Sequence, residues 1–244
     1  GGKPVEPDEA PGLIIPEREL VQPTELIGAA KLTGQYGQFR YGFLTAFEDE
    51  VKFDAIVDGE SINIKADGND YGVARFIYED SGGGAYRALG FLSTAVMSPN
   101  RDAFTHGLDA HYLSEDGKLK VDGQIFMSDI DEVDNGIGGF VDFEYTIRQG
   151  LSQRLGIEYQ DETVDINDLG YLQRNDNFRI RTAHIRTSSN LSWARDNQFD
   201  VRGYVQRNSD KLFTGGGIMF SNRTTFDSLN RLTLRVALFP KSYD

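Results

Sequence analysis

The sequence predicts an all-β protein, an antiparallel transmembrane β-barrel of the outer-membrane type or a large part of one. Segments of about ten residues, in which apolar and polar residues alternate, recur along the chain. No amphipathic helical pattern of convincing length lies between them, which disfavours βαβ folds. No run approaches the roughly 18 apolar residues of a membrane helix. The mean hydropathy of -0.43 suits strands with one polar face.

The chain divides into a Pro-rich linker or loop at residues 1–23 and a barrel domain at residues 24–244. The first segment is rich in proline and charge and has little periodicity. It lacks the basic and then apolar pattern of a signal peptide. The chain stops soon after a strong strand pattern, so we expect the barrel to continue past Asp244 or to be completed by a partner.

The barrel domain is predicted to contain about 12 strands. Many of them are longer than the ordinary globular strand of about 5 to 6 residues. The predicted segments are 25–36, 38–48, 70–79, 86–97, 103–114, 118–129, 138–149, 151–161, 177–194, 198–208, 211–221 and 230–240.

Residues 103–129 show the alternation clearly, as two runs around the turn "SEDGK". One face of this hairpin carries Phe104, His106, Leu108, Ala110 and Tyr112, continued by Leu119, Val121, Gly123, Ile125 and Met127. The other face is polar. A soluble sandwich alternates in the same way, so this pattern leaves lipid and a protein core as alternatives.

Connection lengths favour lipid. Short connections such as "QYGQ" and "RQG" alternate with long ones, such as the segment from Glu48 to Asn69 and that from Gln160 to Asp176. Outer-membrane barrels have tight turns at one end and long loops at the other. "DIDEVDNG" is interpreted as one of the longer connections, whereas "RNSDK" is shorter than the alternation requires.

Aromatic residues near strand ends are candidates for the two belts that mark membrane interfaces. The alternative is aromatic packing under a sandwich. The candidates are Tyr36, Phe47, Tyr78, Tyr86, Phe104, Tyr112, Tyr159 and Phe199.

Composition excludes several classes of function. The chain has no cysteine, which rules out disulfides, zinc-thiolate sites and cysteine nucleophiles. A net charge of -13 argues against nucleic acid as a partner. His106, His111 and His184 are scattered without a zinc-binding spacing, and no G-x-S-x-G nucleophile motif occurs.

One acidic segment is a candidate calcium loop. Asp129, Asp131, Asp134 and Asn135 are closely spaced oxygen ligands that precede a glycine, as in calcium-binding loops. The bidentate glutamate of a twelve-residue calcium loop is missing. The alternative, a solvated acidic loop without bound metal, is favoured, and no other cofactor is predicted.

A polar lumen wall is predicted from charges placed in mid-strand. The residues expected to face the lumen are Asp109, Asp122, Asp142, Glu144, Arg202 and Arg235. Asp142 and Glu144, with Glu158 nearby, could instead pair as acid and base in a glycosidase-like site. We favour the lumen wall, whose carboxylates would be neutralised by arginines, and predict no catalysis. The candidate arginines are Arg148, Arg154, Arg179, Arg181 and Arg202.

Three stretches resemble a bacterial outer-membrane barrel domain of unknown function. They are "LIGAAKLTGQYGQFRYGFLTA" (26–46), "DYGVARFIYED" (70–80) and "DINDLGYLQRNDNFR" (165–179). That family typically carries the barrel after an N-terminal domain similar to carbohydrate-binding family 9 modules. The resemblance implies a location in the outer membrane of a Gram-negative bacterium, but no activity.

These observations predict a porin-like or anchoring role. The chain would act in transport, or as a membrane anchor or scaffold for an attached or partner domain. Expected partners are membrane lipid and lipopolysaccharide, an N-terminal sugar-binding-like domain, or another outer-membrane or surface protein. The alternative is a soluble β-sandwich or barrel that binds carbohydrate, assisted by calcium in the segment around Asp131.

Overall fold

The protein folds into two antiparallel sheets of very different size. A computed structural model describes residues 13–20, 24–57, 59–99 and 101–243. The larger sheet has twelve strands and the smaller has three. This confirms an all-β chain built on a large antiparallel sheet.

The elements of the small sheet come first in the chain or interrupt the large one. They are β1 (Leu13–Ile14), a helical turn α1 (Glu17–Leu20), β4 (Val51–Val57) and β5 (Glu60–Ala66). β4 and β5 form a hairpin, and β1 pairs with the outer side of β4. The strand β1 lies within the segment interpreted as a linker, of which residues 1–12 and 21–23 lie outside the described residues.

The large sheet contains all twelve strands that the alternation predicts. They are β2 (Leu26–Tyr36), β3 (Phe39–Glu48), β6 (Asp70–Asp80), β7 (Tyr86–Met97), β8 (Asp102–Leu113), β9 (Leu119–Ile130), β10 (Val133–Arg148), β11 (Leu151–Gln160), β12 (Asn177–Ser189), β13 (Asp196–Arg207), β14 (Phe213–Thr225) and β15 (Arg231–Leu238). The largest differences are at β12, which ends at Ser189, and β10, which begins at Val133.

In the large sheet, every strand between the two edge strands pairs with the sheet strand before it and the one after it. The β4–β5 hairpin is inserted between β3 and β6, which pair directly. Within the described residues, β2 pairs only with β3 and β15 only with β14. The sheet therefore has two free edges and is not closed by pairing between its own first and last strands.

The register gives the sheet one apolar and one polar face. Leu108 lies opposite Ile125, and on the neighbouring strands Val141 lies opposite Ile157. Because directly opposed residues point to the same side, the apolar positions form one continuous face across the twelve strands. We call it the apolar face, and the opposite side the polar face.

Most large side chains of the apolar face are exposed rather than packed under another layer. They include Leu32, Phe39, Phe43, Phe76, Leu89, Leu108, Ile125, Phe143, Leu155, Ile218, Phe220, Leu234, Val236 and Leu238. Aromatic rings cross neighbouring strands here, and Phe43 meets Phe76 edge-on with ring centroids 5.3 Å apart. The buried apolar residues are few, and Val96, Ala103 and Ile130 form a small cluster near one end of the polar face.

Two connections differ from the sequence interpretation. The long segment after Glu48 is not an open loop, because it contains the β4–β5 hairpin with Gly59 at φ 86° in its turn. The segment "DIDEVDNG" is not a long loop either. Asp131 and Glu132 alone join β9 to β10, and a bulge between Val133 and Gly136 accommodates the residues that follow.

None of the helical segments in the described parts of the chain is long and apolar enough to cross a membrane.

Candidate functional site: an ion-paired polar face

The six residues predicted to line a lumen all lie on the polar face. Asp122 is opposite Asp142, and Lys120 is opposite Glu144 on the same pair of strands. Asp109 lies opposite Gln124, Arg202 opposite Ala183, and Arg235 opposite Ser221. The six residues share the polar face because side chains of a strand alternate between the two faces with a period of two residues.

The first ion-paired region, network A, spans β6 to β9 and is centred on Asp109. Arg75 grips both carboxylate oxygens of Asp109, with a distance of 2.8 Å from Nη2 to Oδ2. The Asp109 side chain is only 8% exposed. A bidentate guanidinium–carboxylate contact is among the strong ion pairs in proteins, and it compensates part of the cost of burying the carboxylate.

Network A continues through His111. Its Nε2 lies 3.0 Å from Asp109 Oδ2, and its Nδ1 lies 2.8 Å from Asp122 Oδ1. Lys120 Nζ approaches the other oxygen of Asp122 at 2.7 Å. Arg75, Asp109, His111, Asp122 and Lys120 thus form one chain of contacts over four strands.

A glycine makes the central contact of network A possible. Arg75 is on β6 and Asp109 on β8, and Gly90 of β7 lies between them. A Cβ atom on Gly90 would lie 2.4 Å from Asp109 Oδ2 and 2.5 Å from Arg75 Nη2. The absence of a side chain therefore lets the ion pair bridge two strands that are not neighbours.

The second region, network B, spans β10 to β13 and repeats this arrangement. Arg181 Nη2 on β12 donates to both oxygens of Asp142 on β10, at 2.8 and 2.7 Å. Gly156 of β11 lies directly opposite both residues. A Cβ atom there would lie 2.4 Å from Asp142 Oδ1 and 2.5 Å from Arg181 Nε.

Other arginines neutralise the remaining carboxylates of network B. Arg154 pairs with Glu144 at 3.1 Å, Arg179 with Glu158 at 3.8 Å, and Arg202 with Asp200 at 3.1 Å. Three of the five predicted arginines thus balance the carboxylates Glu144, Glu158 and Asp142, whereas Arg202 pairs with Asp200 instead. Arg148 does not take part, because it ends β10 opposite Leu151.

The polar face carries an open cavity of about 770 Å³ beside network B. Its wall carries five basic side chains together with Asp122, Asp142 and Glu144. Tyr204, Met219 and Phe239 add apolar surface. Phe239 extends over Gly217, where a Cβ atom would lie 2.4 Å from the Phe239 ring.

The candidate calcium residues are not gathered into a binding site. Asp129 lies on β9 opposite Phe104, on the apolar side. The Asp131 carboxylate accepts a hydrogen bond from the backbone N–H of Asp102 at 3.1 Å. Asp134 and Asn135 lie in the bulged start of β10. In the part of the chain that the structure describes, no group of three or more metal-binding side chains is close enough to hold an ion.

The three histidines lie apart from one another. His106 is on the apolar face, where Nδ1 is 2.9 Å from Ser93 Oγ and the ring stacks on Phe91. His184 Nδ1 is 2.9 Å from Gln153 Oε1. Only His111 joins the polar face, where it meets two carboxylates.

A connection folds onto one end of the polar face. Val164, in the segment 161–176, is 1% exposed and lies against Gly136, whose added Cβ atom would be 2.2 Å from Val164 Cα. The backbone N–H of Asp165 donates to Ser128 Oγ at 3.1 Å. Arg101 Nη2 holds both oxygens of Asp168 at 2.7 Å. These contacts fix the segment over the strand ends.

Sequence reasoning identified the carboxylates of both networks but missed the glycines between them. The signal was present, since Gly90 and Gly156 occupy polar positions inside strong strands. Glycine there indicates a close approach by another group. Which groups approach depends on the register of three strands, and that cannot be read from one strand alone.

Comparison with known proteins gives a family but no activity. No curated protein and no solved structure matches the chain significantly. The family described as "Domain of unknown function (DUF5916)" matches residues 88–244. Of the three stretches that resemble a barrel domain, 165–179 lies inside this match and the other two precede it. Since the match covers most of the chain, from β7 through β15, the protein belongs to the DUF5916 family.

Proposed function

We propose that the large sheet is the wall of an outer-membrane-type β-barrel that acts in transport, or as a membrane anchor for an attached or partner domain. The apolar face meets lipid and the polar face lines an aqueous interior. The observation that carries this proposal is the exposed apolar face, which is continuous over twelve strands.

Exposure on this scale is not compatible with ordinary solubility. Monomeric soluble proteins rarely expose a continuous apolar patch of more than a few hundred Å². A soluble sandwich would cover such a face with a second sheet. Ile125 and Leu108, at the centre of the apolar face, are instead 63% and 55% exposed. Lipid is the solvent in which this surface is stable.

The polar face supports the same orientation. Its charges are paired across strands rather than scattered toward solvent, as in networks A and B. Barrels with an aqueous interior have an inner wall of this kind, whose opposed charges set selectivity. Among the described residues of this face, no three metal-binding side chains lie close enough to hold an ion.

Strand length and aromatic placement also fit a bilayer. Most strands of the large sheet have at least the 9 to 11 residues that a tilted membrane strand needs, β7 and β8 having 12 each. On the apolar face, two rows of aromatic residues lie near opposite strand ends, as interface belts do. One row contains Tyr36, Tyr78, Tyr112 and Tyr145, and the other contains Phe47, Phe104, Tyr159 and Phe178. Tyr86 belongs to neither row, since it shares the polar side with Leu113.

The proposal requires the sheet edges to be paired. Backbone N–H and C=O groups have no water to bind inside a bilayer, so β2 and β15 need partners in the membrane. Those partners are either each other or further strands. Closing a sheet into a barrel wall requires tilted strands and pairing between its two edges.

Paired cysteine variants test the proposal directly. The chain has no native cysteine, so Ile125→Cys and Gln124→Cys each introduce a single label site on adjacent positions of β9. In lipid vesicles, a polarity-sensitive dye at position 125 is expected to emit to the blue and to be quenched by brominated lipid. The same dye at position 124 is expected to be quenched by iodide instead.

Membrane fractionation and heat-modifiability provide the matched control. Membrane recovery, with a faster band in unheated gel samples, would support a closed lipid-facing wall. Protein that is monodisperse without detergent, or labels that report water equally at both positions, would overturn the proposal.

A further inference from the structure

The cavity of the polar face presents basic groups toward its open space. Lys120, Arg154, Arg179, Arg181 and Arg202 contribute to its wall, although the whole chain carries a net charge of -13. They come from four different strands, so the sheet, and not a single segment, brings them together. A volume of about 770 Å³ is within the range of small-molecule binding sites.

Each of these basic groups has a carboxylate partner that is less exposed than itself. The side chain of Arg202 is 54% exposed and that of Asp200 8%, while Lys120 is 56% exposed and Asp122 25%. The same order holds for the pairs made by Arg154, Arg179 and Arg181. The pairs are neutral in sum, but in each pair the basic group is the more exposed member. An anion that enters from solvent therefore finds more accessible surface on the cations than on their carboxylate partners.

The carboxylates also hold the basic groups in place without using all their donors. A guanidinium has five N–H donors. Arg202 contacts Asp200 through Nε, and Arg154 contacts Glu144 through Nη2. These contacts leave other N–H groups of each guanidinium for a ligand. Preorganised arginine forks of this kind match the oxygens of carboxylate and phosphate groups.

The rest of the wall suits a ring or apolar group. Tyr204 lies beside the cluster, with its ring centroid 5.8 Å from the Arg179 guanidinium carbon. Gly217 lies directly opposite Tyr204, and the Phe239 ring covers it and adds a second aromatic surface. A ligand with an oxyanion at one end and a ring at the other would contact both kinds of surface.

We propose that this cavity binds small organic oxyanions, namely carboxylates or phosphates attached to a ring. The inference deepens the proposed function by naming a class of solute, and it rests on that function only for placing the cavity along a transport path. Binding itself depends on the polar face alone.

Calorimetric titration of the folded full chain in detergent tests the site. The probes are benzoate with its neutral analogue benzyl alcohol, glucuronate with glucose, and phenyl phosphate with inorganic phosphate. We expect the ring-bearing anions to bind saturably and to weaken with added salt, whereas the neutral analogues do not bind. Comparison of the carboxylates with phenyl phosphate identifies the preferred oxyanion.

Variants separate the cavity from general surface charge. Arg154→Gln is expected to weaken the anion about tenfold, the loss that corresponds to one charge-assisted hydrogen bond. Arg223→Gln, on the polar face of β14 but outside the cavity wall, is the matched control and should bind as the parent does. Unfolding midpoints of both variants exclude misfolding as the cause.

The outcomes distinguish this inference from the proposed function. Absence of binding of all anionic probes by folded protein, or equal loss in Arg223→Gln, would overturn the anion site, even if the cysteine labels report lipid at position 125. Conversely, saturable binding that depends on Arg154 would support the site even if those labels report water.

Discussion

Networks A and B contain the same kind of ion pair, but the aspartate of the pair is buried in network A and more exposed in network B. In both, an arginine and an aspartate from alternate strands meet over a glycine of the strand between them. In network A the aspartate, Asp109, is 8% exposed and is also bound by His111. In network B the aspartate, Asp142, is 38% exposed and faces the cavity.

The difference in exposure of the two aspartates shows how the same Arg–Asp pair over a glycine can stabilise the sheet in network A and take part in recognition in network B. Desolvated charges depend on each other, because water cannot replace a lost partner. Charges that remain half-exposed exchange a protein partner for water at little cost. Network A is therefore expected to hold four strands together, and network B to be free to respond to a ligand.

Removal of the buried carboxylate should have the largest effect. Asp109→Ala leaves Arg75 and His111 without their shared partner, and we expect the free energy of unfolding to fall by about 3 kcal/mol, toward the lower end for a broken buried pair. Urea unfolding in detergent micelles measures this change. A loss no greater than that of Asp142→Ala would contradict the distinction between the two networks.

Filling the gap between the partners should have the next largest effect. Gly90→Ala places a methyl group where Asp109 and Arg75 meet, and overpacking of this kind costs about 1–3 kcal/mol. Both charges are retained, so the loss should stay below that of Asp109→Ala. Gly123→Ala is the control, since its added Cβ atom has no contact closer than 3.5 Å. If both glycine variants lose the same free energy of unfolding, the loss arises from the strand propensity of the new residue and not from disruption of the ion pair.

Removal of the exposed carboxylate should change stability little. Asp142→Ala leaves Arg181 half-exposed and accessible to water, so we expect a loss of less than about 1 kcal/mol. The same urea titration provides the value. A larger fall in the free energy of unfolding would show that network B stabilises the fold as network A does.

The smallest effect is expected in the turn that joins β8 to β9, outside both networks. A hydrogen bond from Ser114 and contacts with Lys118 lower the pKa of Asp116 to about 2. Because this lies below the usual value of about 3.9, folding favours the carboxylate. Its contribution is present above about pH 4 and is lost as the pH falls toward 2.

NMR titration of Asp116 measures this effect. Ser114→Ala should move the Asp116 pKa upward, because the hydroxyl donor is the main cause of the shift. The parent protein and Lys211→Ala, a change in a different turn, should give the same low pKa. An unchanged pKa in Ser114→Ala would show that the backbone N–H of Lys118 suffices.

Much of the large sheet could be predicted from local pattern. Its twelve strands were identified because the two-residue period persists over segments such as β8 and β9. The β4–β5 hairpin was missed although its own alternation and the glycine at position 59 signal it. The pairing of Arg75 with Asp109 could not be predicted, because residues 34 positions apart meet only through the register of β6, β7 and β8.

The bridging glycines have a consequence for the order of assembly. A contact between alternate strands cannot form until the strand between them is in place with its glycine under the two side chains. A slip of one residue would put Leu89 or Phe91 near the position of Gly90 and would also reverse the faces of that strand. Each bridging ion pair therefore forms only when three consecutive strands are in the correct register. Three strands, rather than a hairpin, are the smallest unit whose register the ion pair stabilises.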